Sequence, residues 1–261
     1  MNIFGLSGKR ALITGGTHGL GMAMAKGLGL AGAELLINGH SADKMKLALD
    51  EYSNLKLKAS GHLFDVTDDQ AVSSAIDTIE KEIGPIDILV NNAGIIKRIP
   101  MADMATEDFR EVINVDLIAP FIVSKYIGRY MIKRKAGKII NICSMMSELG
   151  RNTVSAYAAA KGGLKILTKN MATEWAKYNI QVNGIGPGYF ATEQTAPIRV
   201  NGHPFNDFII GRTPAGRWGN PEDLIGTTVF LASSASDFVN GQIIYVDGGI
   251  LATIGKPANE L

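Results

Sequence analysis

Cysteine, long apolar runs and targeting features are scarce in this sequence, and each shortage excludes a class of protein. Cys143 is the single cysteine among 261 residues, so no disulfide can form within the chain and a reducing compartment is expected. No apolar run approaches the ~18 residues that a membrane-spanning helix needs. The opening MNIFGLSGKR lacks the basic and then apolar order of a secretory signal. We therefore expect a soluble cytoplasmic protein.

An excess of charge of one sign is also missing. The 26 Lys and Arg residues balance 25 Asp and Glu, which leaves a formal net charge of +1 without long runs of like charge. Neither nucleic acid nor a membrane surface is therefore an expected partner. The four histidines, His18, His40, His62 and His203, contain no pair at the four-residue spacing of a helical zinc site, so no metal is expected.

Short apolar segments rich in Val, Ile and Leu alternate with longer amphipathic segments along the chain. The predicted strands are 11–14, 34–38, 61–65, 87–91, 138–143, 181–185 and 242–246. The predicted helices are 19–31, 42–52, 68–83, 107–134, 155–178 and 221–234, with Thr67 and Gln70 as a capping-box pair before the third. Strands apolar on both faces predict a doubly wound (Rossmann) α/β fold: a seven-stranded parallel sheet with helices on both faces, in a single domain spanning 1–261.

One segment departs from this alternation. Residues 186–218 contain several glycines and prolines and show little periodicity, which predicts a long loop with at most a short helix. Long loops inside compact domains are usually functional. We expect a substrate lid here.

A glycine-rich turn follows the first predicted strand. The sequence TGGTHGLG places glycines at 15, 19 and 21 between a strand and a helix, with Thr17, His18 and Leu20 among them. Such glycines permit a tight turn and close backbone approach, so a pyrophosphate can lie on the helix N-terminus. The spacing differs from GxGxxG, but the strand, turn and helix context predicts a dinucleotide site.

The end of the second predicted strand bears on which dinucleotide binds. An acidic residue is normal here when the cofactor is NAD, because it accepts from the ribose hydroxyls. This chain has Gly39, His40 and Ser41 instead, so no carboxylate would repel a 2′-phosphate, and His18 and His40 are able to donate to one. NADP is favoured, and NAD remains open.

Further candidate cofactor contacts lie at the ends of the third and fourth predicted strands. They are Asp65, Val66, Asn91, Ala93 and Gly94, at the sheet edge where open α/β folds bind ligands. The carboxylate of Asp65 would either accept from an adenine amino group or cap a loop.

The stretch SAYAAAK places Tyr157 and Lys161 four residues apart, on one face of a predicted helix. A free phenol has a pKa of about 10. An ammonium about 4 Å away, at an effective dielectric near 20, favours phenolate by up to about 4 kcal/mol. We therefore expect Lys161 to bring the pKa of Tyr157 toward the range of general acid–base catalysis. Ser144 ends the fifth predicted strand and is able to donate to a carbonyl oxygen that gains charge.

These motifs occur together in one order: TGGTHGLG, NNAG, INVDL, Ser144, the YxxxK of Tyr157 and Lys161, and PGYFAT. Over nearly the whole chain the combination resembles the classical short-chain dehydrogenase/reductases. The resemblance implies a catalytic tetrad. Tyr157 would exchange the proton, Ser144 would orient the substrate oxygen, Lys161 would hold the nicotinamide ribose, and Asn114 would anchor a water relay.

Two further expectations come from the same resemblance. Thr192 corresponds to a threonine that contacts the nicotinamide amide, and Pro187 and Gly188 belong to the loop flanking the nicotinamide ring. The C-terminal part, FLASSASDFVNGQIIYVDGG, resembles the segment through which family members pair their last strands. A homotetramer is therefore expected.

Several stretches, including NICSMMSELGR and TPAGRWG, resemble the gluconate 5-dehydrogenases within this family, which interconvert D-gluconate and 5-keto-D-gluconate. A 2-keto-3-deoxygluconate-type dehydrogenase and a 3-oxoacyl-carrier-protein reductase remain alternatives. Arg98, after the NNAG turn, is a candidate ligand for a substrate carboxylate because guanidinium pairs with carboxylate through two hydrogen bonds, and Lys97 is a weaker one. Ser147 and Tyr189 are candidates for contacting sugar hydroxyls.

Overall fold

A computed structural model describes residues 2–255 and contains a seven-stranded parallel sheet. The strands are β1 (Arg10–Ile13), β2 (Glu34–Gly39), β3 (Ala59–Leu63), β4 (Ile88–Asn91), β5 (Gly137–Ile142), β6 (Ile180–Pro187) and β7 (Ile243–Val246). Their order across the sheet is β3-β2-β1-β4-β5-β6-β7, and every neighbouring pair is parallel. The predicted doubly wound fold is confirmed.

Helices cover both faces of the sheet. They are α1 (Gly19–Leu30), α2 (Ala42–Asn54), α3 (Asp69–Thr78), α4 (Thr106–Ile113), α5 (Ala119–Arg134), α6 (Ser155–Trp175), α7 (Pro204–Arg212) and α8 (Ile225–Ala232). Side chains alternate along a strand, so Ala11 and Ile13 pack with α1, α2 and α8, whereas Leu12 packs with α3, α5 and α6. Over residues 2–255, no helix combines the length and apolar character that a membrane crossing requires.

The predicted helix 107–134 is divided by a π turn. One wide turn, Asn114–Ile118, separates α4 from α5 while the chain continues in the same direction. Such a turn contains an extra residue relative to an α-helix and is frequent at functional sites. Asn114 begins it, and the completely buried Asp116 lies within it.

The capping-box prediction at Thr67 and Gln70 is wrong. Asp68 caps α3 instead, because its Oδ1 accepts from the backbone N–H of Gln70 at 2.9 Å and of Ala71 at 3.0 Å. The hydroxyl of Thr67 donates to Asp65 Oδ1 at 2.7 Å. An aspartate directly before the helix therefore displaces the threonine from the cap.

The segment 186–218 contains more regular structure than predicted. After β6 it forms a 3₁₀ helix, Glu193–Ile198, and then α7, and Phe190 pairs with Gly219 in a single parallel bridge. The carboxyl ends of β1 and β4 meet beneath this segment at the point where the strand order reverses, which is where open α/β sheets bind ligands.

Candidate active site

A cavity of about 770 Å³ opens at the carboxyl ends of the central strands. It brings together most of the candidate site residues from six separate parts of the chain. Those that line it are Gly15, His18, Gly19, Leu20, Gly21, His40, Ala93, Gly94, Arg98, Ser144, Tyr157, Lys161, Gly188, Tyr189 and Thr192. The volume falls within the range of small-molecule sites.

The remaining candidates do not line the cavity: Thr17, Gly39, Ser41, Asp65, Val66, Asn91, Asn114, Ser147 and Pro187. Some have evident structural contacts. The side chain of Ser41 caps α2 by accepting from Lys44 N–H at 3.4 Å. Asp65 Oδ1 accepts from both the backbone N–H and the hydroxyl of Thr67. Asn91 is buried and donates to Asn141 Oδ1 at 2.8 Å.

Ser147 has its hydroxyl engaged within the protein. Its Oγ donates to the carbonyl oxygen of Lys161 at 2.8 Å and accepts from the backbone N–H of Ser144 at 3.3 Å. This placement does not support the predicted contact with substrate hydroxyls. Ser147 instead fixes the turn that presents Ser144 against α6.

The glycine-rich turn has the geometry of an anion-binding site. Gly15 and Gly19 have φ angles of +63° and +57°, a left-handed conformation that favours glycine. A Cβ at Gly21 would lie 2.3 Å from the Gly15 carbonyl oxygen, so the helix start packs directly on the turn. His18, the N-cap of α1, makes no side-chain cap, which leaves the first amides of the helix available to a phosphate.

The NNAG segment is fastened to this turn. Thr14 Oγ1 accepts from the backbone N–H groups of Asn92 and Ala93, each at 3.0 Å. The side-chain amide of Asn92 donates to the carbonyl oxygens of Thr14 and Gly15, also at 3.0 Å. The two segments are therefore joined by hydrogen bonds into one floor of the cavity.

A lysine that sequence reasoning missed lies at the outer end of the cavity. Lys44, in the first turn of α2, lines the cavity together with His18 and His40. Its position depends on how α2 packs beside the glycine-rich turn, and the local sequence contains no motif for that arrangement.

The opposite end of the cavity contains Ser144, Tyr157 and Lys161. α6 places Tyr157 and Lys161 on one face, with Lys161 Nζ 5.5 Å from the centre of the Tyr157 ring. Lys161 is buried, and its Nζ donates to the carbonyl oxygen of Ile142, the last residue of β5, at 2.9 Å. Asp116 Oδ2 lies 3.1 Å from the same Nζ.

The electrostatics around Tyr157 correct one expectation. Packing of protein atoms around the hydroxyl raises the pKa of Tyr157 above its ordinary value, although Lys161 and Ser144 act to lower it. Asp116 adds to the increase. Lys161 acts on the pKa of Tyr157 in the predicted direction, but desolvation of the phenolate outweighs the cation and the net pKa is raised.

Two neighbouring cationic residues near the substrate end, Lys97 and Arg98, have different surroundings. Lys97 is paired with Asp108 at 2.6 Å and with Glu111. Arg98 is exposed at the cavity wall, and no hydrogen bond or ion pair joins it to another residue within 2–255. Arg98 therefore remains a better candidate for an incoming carboxylate than Lys97.

Arg151 is a second cationic residue of the cavity that was not predicted. Its guanidinium lies 4.3 Å from the centre of the Phe205 ring on α7 and donates to the hydroxyl of Tyr189 at 3.3 Å. Tyr189 also packs edge-on against Phe205 and Trp218. Arg151 thus connects the loop after Ser144 to the 186–218 segment.

Comparison with known proteins identifies the family. Residues 15–251 match a model of the short-chain dehydrogenases that is described as enoyl-(acyl carrier protein) reductase. The chain belongs to the short-chain dehydrogenase/reductases. It is an oxidoreductase of that family.

Several relatives are named as enzymes of sugar acids. The chain is 67% identical to the 2-dehydro-3-deoxy-D-gluconate 5-dehydrogenase of Formosa agariphila, over 100% of this chain and 99% of that protein. It is 49% identical to the 5-keto-D-gluconate 5-reductase of Escherichia coli K12, over 97% of this chain and 99% of that protein. The structure of a Burkholderia cenocepacia gluconate 5-dehydrogenase in complex with NADP and tartrate matches with a TM-score of 0.93 at 45% identity, covering 97% of this chain and 99% of that chain.

Proposed function

We propose that this enzyme reversibly transfers a hydride between NADP(H) and the C5 position of a six-carbon sugar acid, with D-gluconate and 5-keto-D-gluconate as the first candidate pair. The observation that supports this most is the cavity, in which the glycine-rich turn, the Tyr157–Lys161 pair and the unpaired Arg98 face one space. The relatives named above share an acid substrate and chemistry at C5.

The proton chemistry of the proposal belongs to Tyr157. During oxidation its phenolate accepts the proton of the substrate hydroxyl, and during reduction the phenol returns it. Ser144 donates to the substrate oxygen and Lys161 supplies the positive charge that favours phenolate. Asn114 remains the proposed anchor of a water relay, although it does not line the cavity. When bound, the nicotinamide ring supplies the hydride acceptor or donor.

The residues of the inner cavity fit a dinucleotide. The uncapped start of α1 and the left-handed glycines suit a pyrophosphate. His18, His40 and Lys44 at the outer end suit a 2′-phosphate, which favours NADP(H) over NAD(H). The NADP in the Burkholderia structure supports the same choice.

A second candidate substrate is 2-dehydro-3-deoxy-D-gluconate. The observation that favours it is the 67% identity to the Formosa enzyme, which is higher than the identity to the Escherichia reductase. Both candidates present a carboxylate to Arg98 and a C5 hydroxyl to Tyr157. They differ at C2 and C3, so residues of the cavity other than these two would discriminate between them.

We further propose that residues 186–218 act as a lid, that the enzyme is cytoplasmic and that it forms a homotetramer. Arg151 supports the lid proposal because it connects the catalytic loop to α7. The reduced, buried Cys143 supports the location. The half-buried edge strand β7 supports assembly through the last strands.

Spectrophotometric assays test the proposal. D-gluconate and 2-dehydro-3-deoxy-D-gluconate are supplied with NADP⁺ or NAD⁺, and 5-keto-D-gluconate and an acetoacetyl thioester with the reduced cofactors. The expected result is turnover of at least one sugar acid with a higher kcat/KM for NADP⁺. Turnover of the thioester alone would replace the proposal with a 3-oxoacyl reductase.

A Lys44→Gln variant is expected to raise KM for NADP⁺ and leave KM for NAD⁺ unchanged.

A further inference from the structure

Asp116 is a fully buried carboxylate that the tetrad does not include. It lies in the π turn Asn114–Ile118 with 0% of its surface exposed. Its Oδ1 accepts from the backbone N–H of Ile95 at 2.7 Å. Its Oδ2 is 3.1 Å from Lys161 Nζ and makes no hydrogen bond of good geometry with any residue from 2 to 255. A carboxylate in this position requires a compensating cation.

The backbone beside this carboxylate has a glycine, Gly94, where a larger residue would collide with it. A Cβ on Gly94 would lie 2.9 Å from Asp116 Oδ2, so the last residue of NNAG leaves space for Asp116. The π turn that contains Asp116 contacts α6, whereas α5, which follows it, packs against β4 and β5 of the sheet. Asp116 is therefore held by the same segment that forms the floor of the cavity.

Two effects of Asp116 follow from its place beside Lys161. Burial alone would lower the pKa of Lys161, but Asp116, and after it Tyr157, outweigh burial, and the net pKa is raised. The same negative charge raises the pKa of Tyr157. Cys143, whose thiol pKa is raised to about 11 by burial, is the further titratable group acting on both.

We infer that Asp116 is a positioning residue for Lys161: its carboxylate keeps the buried ammonium charged and in place, and its negative charge limits how readily Tyr157 releases a proton. The inference rests on the proton exchange assigned to Tyr157 in the proposed function. It adds to the tetrad a counterion for Lys161.

The negative charge of Asp116 determines the direction in which its removal should shift the pH dependence of kcat/KM. Oxidation requires unprotonated Tyr157, so kcat/KM increases with pH through the pKa of that residue. Asp116→Asn removes a negative charge beside Tyr157 and Lys161, which makes proton loss easier for both. The increase in kcat/KM is expected to move to lower pH by about one unit. The activity loss at high pH, where Lys161 deprotonates, is expected to move in the same direction.

The experiment compares Asp116→Asn with wild type and with Asp77→Asn, which removes a carboxylate from the exposed pair with Lys81. Asp77→Asn is expected to leave the pH profile unchanged. Asp116→Ser serves as a second variant in case asparagine prevents folding, and circular dichroism checks both. An Asp116 variant that folds and retains the wild-type pH profile would overturn the inference.

A second measurement separates this inference from the proposed function. The ¹³Cζ resonance of Tyr157, assigned by its loss in Tyr157→Phe, is titrated in protein without substrate. A lower Tyr157 pKa in Asp116→Asn supports the inference even if no sugar acid is turned over. An unchanged pKa overturns it even if wild-type enzyme oxidises gluconate.

Discussion

Tyr157 lies among groups with opposing effects on its proton. Desolvation and Asp116 hold the phenol protonated, whereas Lys161 favours phenolate. The pH at which the hydroxyl ionises is therefore set by a balance that any charge entering the cavity will change. A dinucleotide with an oxidised, positively charged nicotinamide would favour phenolate, and an added carboxylate would oppose it.

Tyr157→Phe tests the proton-transfer role. The substitution retains the ring beside Lys161 and removes the hydroxyl, so kcat is expected to fall about 10²- to 10⁴-fold. Dinucleotide binding, measured by fluorescence titration, is expected to persist. Tyr126→Phe, at a surface tyrosine bonded to Asp69, is the matched control and should retain full activity. Substantial residual turnover in Tyr157→Phe would refute the role.

Arg98→Ala tests the carboxylate contact. Loss of a charge-assisted hydrogen-bonded pair is expected to raise KM for the sugar acid about 10- to 100-fold, or ~1.5–3 kcal/mol. The Kd for NADP(H) should not change. Lys97→Ala is the neighbouring control, because Lys97 is already paired with Asp108 and Glu111. If Arg98→Ala leaves KM unaltered while Arg151→Met raises it, Arg151 is the carboxylate ligand instead.

At the scale of elements, the turn between β1 and α1 is closely packed against its neighbours. A Cβ at Gly21 would lie 2.3 Å from the carbonyl oxygen of Gly15 and 2.4 Å from Asn92 Nδ2. Real structures do not contain contacts this short, so the helix start would move away from the NNAG segment. The floor of the dinucleotide site depends on that contact.

Gly21→Ala is expected to reduce the free energy of unfolding by about 1–3 kcal/mol and to weaken dinucleotide binding. Urea unfolding and fluorescence titration measure the two effects. Gly226→Ala in α8 is the matched control, because a Cβ there meets nothing within 4 Å. It should stabilise the helix by roughly 0.5–1 kcal/mol. Equal effects of the two variants would contradict the packing explanation.

The elements differ in how far the sequence could predict them. β1 and β4 were predictable because a buried parallel strand requires apolar residues on both faces, as at Leu12 and Ile13. The π turn was not, because α4 and α5 continue one amphipathic pattern and a single extra residue leaves no compositional mark. Asp116 and Lys44 were missed for a related reason: their partners come from elements distant in the chain.

At the scale of the whole molecule, exposed apolar residues lie on α5, on α6 and at the end of the π turn that precedes α5. Ile118, Phe121 and Ile166 are 42%, 46% and 52% exposed, and Phe121 borders a groove that Leu167 and Trp175 also line. Solvent-exposed groups of this kind commonly mark contacts between subunits. This face and the edge strand β7 are two separate surfaces, as a tetramer with two kinds of interface requires.

Phe121→Glu is expected to weaken the proposed tetramer, because it places a carboxylate in an apolar contact. Analytical ultracentrifugation should show dimers or monomers at concentrations where wild type is tetrameric. Leu47→Glu, at a residue of α2 that is 70% exposed, is the control and should leave the assembly intact. If wild type is a monomer, the proposed tetramer is wrong. If Phe121→Glu remains a tetramer, Phe121 does not lie in a subunit interface.

The wide turn at Asn114–Ile118 determines which side chains point toward Lys161. Each residue of an α-helix advances the next by about 100° around the axis. Deleting one residue there would convert the wide turn into a regular α-helical turn and change the direction in which the residues of the turn point, so Asp116 would no longer face Lys161. The number of residues in this turn therefore determines which side chain lies beside Lys161.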